Sequence, residues 1–121
     1  MLRPPPTTRL FVCTRAVDLR RSFDGLAALT RDVLCLDPLS GHLFIFFNRR
    51  RDRVKILYFD GDGFALWMKR LEKGTFAPVA AASEGSCARS LSAAELAMLL
   101  EGIDIVNTRR RARYKLPAKV A

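Results

Sequence analysis

Five consecutive residues of this chain, Arg49-Arg50-Arg51-Asp52-Arg53, are all charged, and they fall between two apolar runs. Guanidinium groups carried on a turn can grip phosphates through charge-assisted, bidentate hydrogen bonds, or reach into a nucleic-acid groove. The competing reading is a solvated turn in which Asp52 neutralises one arginine. Lys55, Lys69, Arg70 and Lys73 follow closely in sequence and extend the basic character. A second basic block closes the chain: Arg109, Arg110, Arg111, Arg113, Lys115 and Lys119, with no acidic residue from Ile105 onward. Such a block reads as a basic tail.

Other chemistry-bearing residues point to less. Asp60 and Asp62 sit in Asp60-Gly61-Asp62-Gly63, and paired carboxylates can hold Mg²⁺. Turn chemistry explains the same four residues more simply, because glycine accepts positive φ without steric cost. An EF-hand loop counted from Asp60 would need a glutamate where Leu71 stands. His42 is the single histidine and has no metal-ligand spacing around it, so it reads as a hydrogen bonder at a turn or strand edge. Cys13, Cys35 and Cys87 are odd in number and widely spaced, which fits reduced thiols in a cytosol better than a disulfide frame or a zinc site. Trp67, Tyr58 and Phe59 could stack on bases but at these spacings read as core. No catalytic constellation, cofactor motif or metal site is expected.

The elements that must carry these groups follow from patterning. Leu43–Phe47 is a continuous apolar run, too short for a helix and rich in residues that suit a pleated surface. Val54–Phe59 is a second strand, and Asn48–Arg53 is the hairpin loop between them. Phe64, Trp67, Met68 and Leu71 fall at helical spacing, which predicts a helix over Phe64–Glu72 ended by Gly74. Upstream, Leu10–Cys13 is a short strand. Asp18 is a candidate N-cap for a helix reaching about Leu34, with Leu19, Phe23, Leu26, Val33 and Leu34 on one apolar stripe. Gly25 within it suggests close packing against the sheet. Downstream, Thr75–Val79 reads as a short extended piece and 80–90 as a loop. Ser92 and Glu95 have the spacing of a capping box, Leu91 can staple to Leu96, and Gly102 stands as a C′ residue. Leu96, Leu99, Leu100 and Ile103 form the buried stripe of that helix.

Composition bounds the whole. The chain has 121 residues, half of them hydrophobic, enough for one globular domain. Its 21 Lys and Arg against 12 Asp and Glu leave a formal charge of +9, and the pI is about 10.3. That surplus favours acidic partners, nucleic acid before acidic protein. No apolar run approaches the ~20 residues of a membrane span, and Met1–Pro6 lacks the apolar core of a signal peptide. The expected organisation is a flexible tail over 1–8, a domain over 9–104 and a basic tail over 105–121. The expected fold class is α+β: an antiparallel hairpin sheet packed against two or three helices that cover one face.

Gly41–Phe76, GHLFIFFNRRRDRVKILYFDGDGFALWMKRLEKGTF, resembles the pattern of the Orf2-like accessory proteins of IS 66 type insertion sequences, matching at nearly every position. Asp18–Leu26 upstream and Leu96–Asp104 downstream agree as well. Arg49, Arg50, Asp52, Arg53 and His42 fall on positions of that pattern. Departures are mild: Leu19 for the usual Met, Arg51 as an added charge, Phe59 for Trp, and Ala77-Pro78 for Trp-Pro. The resemblance implies a cytoplasmic bacterial protein, non-catalytic, that assists transposition while a separate transposase performs strand transfer. Charge adds direct DNA binding as the physical mechanism. The alternative is an adaptor that binds the transposase or other element-encoded proteins without touching DNA.

Overall fold

The computed structural model describes residues 7–101, 103–104 and 109–110. The centre of the fold is the strand Leu43–Phe47 (β2), buried at every position. An uninterrupted apolar run has no polar side to offer solvent, so it is stable only with both faces covered. Leu43, Ile45 and Phe47 point into one core cluster. Phe44 and Phe46 point into the other.

Four strands flank β2. Leu10–Cys13 (β1) pairs with it in parallel, Leu10 opposite Leu43. Arg53–Phe59 (β3) pairs antiparallel on the other side, Ile45 opposite Ile56. Phe64–Arg70 (β4) and Ala88–Leu91 (β5) are the two edges, giving the order β4-β3-β2-β1-β5. Two parallel neighbours cannot be joined by a tight hairpin. Here the crossover carries the helix Phe23–Asp32 (α1). The α+β class and the hairpin sheet packed on helices are as the sequence indicates. The helices, however, divide over both faces instead of covering one. Leu26 and Ala27 of α1 pack with Phe44, Phe46 and Leu57. Leu96 and Leu99 of the helix Ala93–Leu100 (α2) pack with Ile45, Phe47, Val54 and Ile56.

Several expectations are corrected. Phe64–Arg70 is a strand, not a helix. Its helical spacing is overridden by a ladder with β3 that runs from Phe59 opposite Phe64 to Arg53 opposite Arg70. The Asp60–Gly63 turn closes that hairpin, with the Asp60 N–H donating to the Gly63 carbonyl at 2.7 Å. Gly74, at φ 76°, belongs to the turn after β4 and ends no helix. Ser22, not Asp18, is the N-cap of α1. Asp18 Oδ1 accepts the Arg20 N–H at 3.0 Å and so closes its own turn before the helix can start. Phe23 is consequently 42% exposed and leaves the buried stripe. Gly25 makes room for Arg21, whose Cβ would lie 3.0 Å from an added methyl, and not for the sheet. Residues 88–90, the end of the stretch read as loop, form β5 with Leu91 against β1. Thr75–Val79 is not a strand, yet Phe76, Ala77 and Val79 are buried in the cluster beneath α2.

The C-terminal expectations meet the structure only in part. Ile103–Asp104 (β6) pairs antiparallel with Arg109–Arg110 (β7), the one described part of the basic stretch expected over 105–121. Gly102, Arg111, Arg113, Lys115, Lys119, Met1–Pro6 and the side chains of Ile103, Arg109 and Arg110 lie outside the described residues. Among the described residues no helix is long and apolar enough to cross a membrane.

The capping box of α2 is present in full. Ser92 Oγ accepts the Glu95 N–H at 3.1 Å, and Glu95 Oε1 accepts the Ser92 N–H at 3.0 Å. Leu91 and Leu96 share one core cluster, as the staple requires. Ser92→Ala is expected to cost ~1 kcal/mol, the usual loss on removing an N-cap hydroxyl. The urea midpoint should fall with an unchanged m-value. A changed m-value would mean that the substitution acts on compactness instead of on the cap.

Candidate nucleic-acid interface

The loop joining β2 to β3 is held by its own polar residues. Asn48 Oδ1 accepts the N–H groups of Asp52 at 3.1 Å and Arg53 at 3.0 Å. Asn48 Nδ2 donates to Asp52 Oδ1 at 2.7 Å. The loop is then tied to the chain after β4. The Leu71 N–H donates to the Asp52 carbonyl, and the Phe76 N–H to the Arg51 carbonyl, each at 2.7 Å.

Arg51 differs from its neighbours. It takes φ 57°, and its guanidinium turns back toward the fold. There Nη2 donates to the Ala77 carbonyl at 2.7 Å, and Nε to the Phe76 carbonyl at 3.3 Å. The group also lies 4.5 Å over the ring of Phe47, a cation–π contact. Arg51 therefore staples the tip to residues 76–77. Asp52 engages Asn48, and among the described residues no ion pair joins it to an arginine. Its carboxyl is held below the ordinary value, first by the Asn48 hydrogen bond and further by the positive Arg50 and Arg53 nearby.

That depressed value has a pH consequence. A carboxylate whose pKa is lower folded than unfolded adds stability above the unfolded value, and loses it as pH falls through the folded one. The tip should therefore weaken below about pH 4, near the unperturbed carboxylate value. Asp52→Asn is expected to flatten the acid limb of the stability curve, measured by urea midpoints from neutral pH downward. An unchanged acid limb would show that Asp52 keeps the same affinity for protons folded and unfolded.

Arg49, Arg50 and Arg53 are exposed. They line a cleft of about 410 Å³ whose opposite wall is Ala16–Arg20. That wall is fixed by the Val17 N–H, which donates to the Phe47 carbonyl at 3.0 Å, where β2 ends. Arg20 thus joins the tip. No local pattern in the sequence links residue 20 with residue 49; the link is made by β2. The same wall brings Asp18, held down to about 2 by the hydrogen bonds and charge of Arg20. Among the described residues, ion pairs join Arg20 to Asp18, Arg31 to Asp32 and Arg70 to Glu72; none reaches Arg49, Arg50 or Arg53.

The other sequence candidates divide by face. Lys55 shares the α1 face with Arg53 and donates from Nζ to the Arg21 carbonyl at 2.9 Å. Arg70 stands directly opposite Arg53. Lys69 sits on the α2 face, opposite Val54, and donates to the Leu100 carbonyl at 3.2 Å. A cation at a helix C-terminus is a stabilising arrangement, so Lys69 is engaged away from the tip. Trp67 and Tyr58 pack on the core, and Phe59 meets Phe64 edge to face at 5.3 Å. His42 Nδ1 accepts the Arg9 N–H at 2.9 Å, a strand-edge bond. Burial pushes the Cys13 thiol up from its ordinary value, which suits a packing residue. Among the described residues no group of three His, Cys, Asp or Glu could hold a metal ion.

Comparison with known proteins follows the same core. The family model described as "IS66 Orf2 like protein" matches residues 8–110. An uncharacterised Sinorhizobium fredii protein, y4jC, is 38% identical over 123 aligned positions that cover the whole of both chains. A second from the same organism, y4hO, is 39% identical over 104, covering 86% of this chain and 88% of its own. No solved structure matches.

Proposed function

The chain belongs to the IS66 Orf2-like family, the accessory proteins of IS66 elements, and we propose that within transposition it acts as a non-catalytic factor that binds DNA through its basic hairpin tip. The observation that carries this reading is the tip itself: Arg49, Arg50 and Arg53 are exposed, open onto one cleft, and have no ion-pair partner among the described residues. Arginines spent on holding a fold are bonded inward, as Arg51 is. Three more that stand in solvent on a rigid turn are suited to phosphate. The formal charge of +9 supplies long-range attraction in the same sense.

Asp60 and Asp62 lie in the β3–β4 turn, and the Asp62 N–H donates to the Asp60 carbonyl at 2.7 Å. The test is a pull-down of element-end DNA by the purified protein, with and without the transposase. Retention of DNA by the protein alone is the expected result. Retention only when transposase is present would replace direct binding with an adaptor role.

A further inference from the structure

We propose that the DNA-contacting surface extends beyond the tip as a continuous cationic groove, running across the α1 face of β3 and β4 to Arg70, and that it grips the phosphate backbone of duplex DNA. The inference rests on the DNA-binding reading above and adds to it a site and a mode of recognition. Next to the tip cleft lies a second of about 350 Å³, walled by Arg53, Lys55, Lys69 and Arg70 with one carboxylate, Glu72, and floored by Leu19 and Met68. The two clefts share Leu19 and Arg53, so they form one path.

Three features of that path favour a polyanion. First, Arg53 and Arg70 are directly opposed across the β3–β4 ladder. Like charges in that position repel and destabilise a hairpin. Glu72 offsets Arg70 at 3.3 Å, while no ion pair among the described residues offsets Arg53. A phosphate between the two arginines would turn the repulsion into a clamp. Second, Lys55 lies on the same face two residues along β3, extending the positive track in line. Third, Met68 is 64% exposed on the floor, and no aromatic ring lines either cleft. Single-strand surfaces rely on exposed rings for stacking on unpaired bases. A groove of guanidinium and ammonium groups, in which Asp18 and Glu72 are each held by an arginine, offers the phosphate contacts that position a duplex.

The test compares Arg70→Gln, Arg70→Lys and Arg89→Gln with the wild type, by anisotropy titration of duplex oligonucleotides of unrelated sequence across a range of salt. Arg70→Gln is expected to reduce the slope of log K against log salt by ~0.9, the value for one phosphate contact, and to do so equally for every duplex. Arg70→Lys should keep the wild-type slope. Arg89→Gln should also keep it, because Arg89 lies on β5, at the sheet edge opposite β4, and lines neither cleft. The melting temperature of free Arg70→Gln should equal or exceed that of the wild type, since a like-charge opposition has been removed. An unchanged slope in Arg70→Gln would overturn the groove and leave the tip standing. A slope reduced for one duplex sequence only would overturn the backbone assignment. No binding of any duplex by the wild type would remove the DNA reading itself, and the groove with it.

Discussion

Alanine in place of Arg49, Arg50 and Arg53 together is expected to remove most of the salt-sensitive DNA affinity while the protein stays folded. Each phosphate contact contributes ~0.9 to the salt slope, so three shrink it by up to ~2.7. Between ~50 and ~200 mM salt, such a difference in slope makes the wild type lose ~40-fold more affinity than the variant. The fold should tolerate the change because the tip is held by other groups: the Asn48 side chain, the Arg51 guanidinium, and backbone bonds from Leu71 and Phe76. The role of Arg53 in that scaffold is its N–H, which alanine keeps. Exposed substitutions of this kind usually shift stability by under ~0.5 kcal/mol each. Binding and transposition at wild-type levels would mean that the loop is only a solvated turn. Loss of cooperative melting would mean that one of the three arginines is structural.

The largest loss of stability is expected from Phe76→Ala. Phe76 lies outside every strand and helix, yet it is fully buried, its ring centroid 5.3 Å from that of Phe47. Its main chain also holds the tip, donating to the Arg51 carbonyl at 2.7 Å and accepting from Arg51 Nε at 3.3 Å. Truncating a buried phenylalanine leaves a cavity that a rigid sheet cannot close, at a cost of ~3–5 kcal/mol. That is a large fraction of the ~5–15 kcal/mol that holds most domains folded. Urea denaturation of the variant should show the midpoint collapse. A loss under ~1 kcal/mol would mean that the segment after β4 packs loosely and does not brace the loop.

The hairpin, the capping box and the central strand were legible because each is a local pattern. A solid apolar run is a strand buried on both faces, and Ser92 with Glu95 is a cap wherever it occurs. The helix expected over Phe64–Glu72 failed for the converse reason. A short amphipathic stretch can be written with either period, and the choice was made by β3, whose seven residues all find partners on β4. β5 was hidden because its small and polar residues take strand form only against β1. Asp18 misled because a carboxylate that caps helices also closes turns. Within the site, the sequence marks the loop but not its division of labour. Nothing in Arg49-Arg50-Arg51 distinguishes the arginine that turns inward from the two that face solvent. That distinction comes from residues 76–77, brought back beneath the hairpin by the chain after β4.

Under the proposed function this chain contacts DNA itself, chiefly through phosphates. Equilibrium binding of the purified protein to a fluorescent duplex, repeated as salt is raised, tests it most directly. The expected result is clear binding at low salt and a straight, steep decline of log K with log salt, made shallower when Arg49, Arg50 and Arg53 are replaced by alanine. Absence of binding at low salt, or binding indifferent to salt, would contradict it.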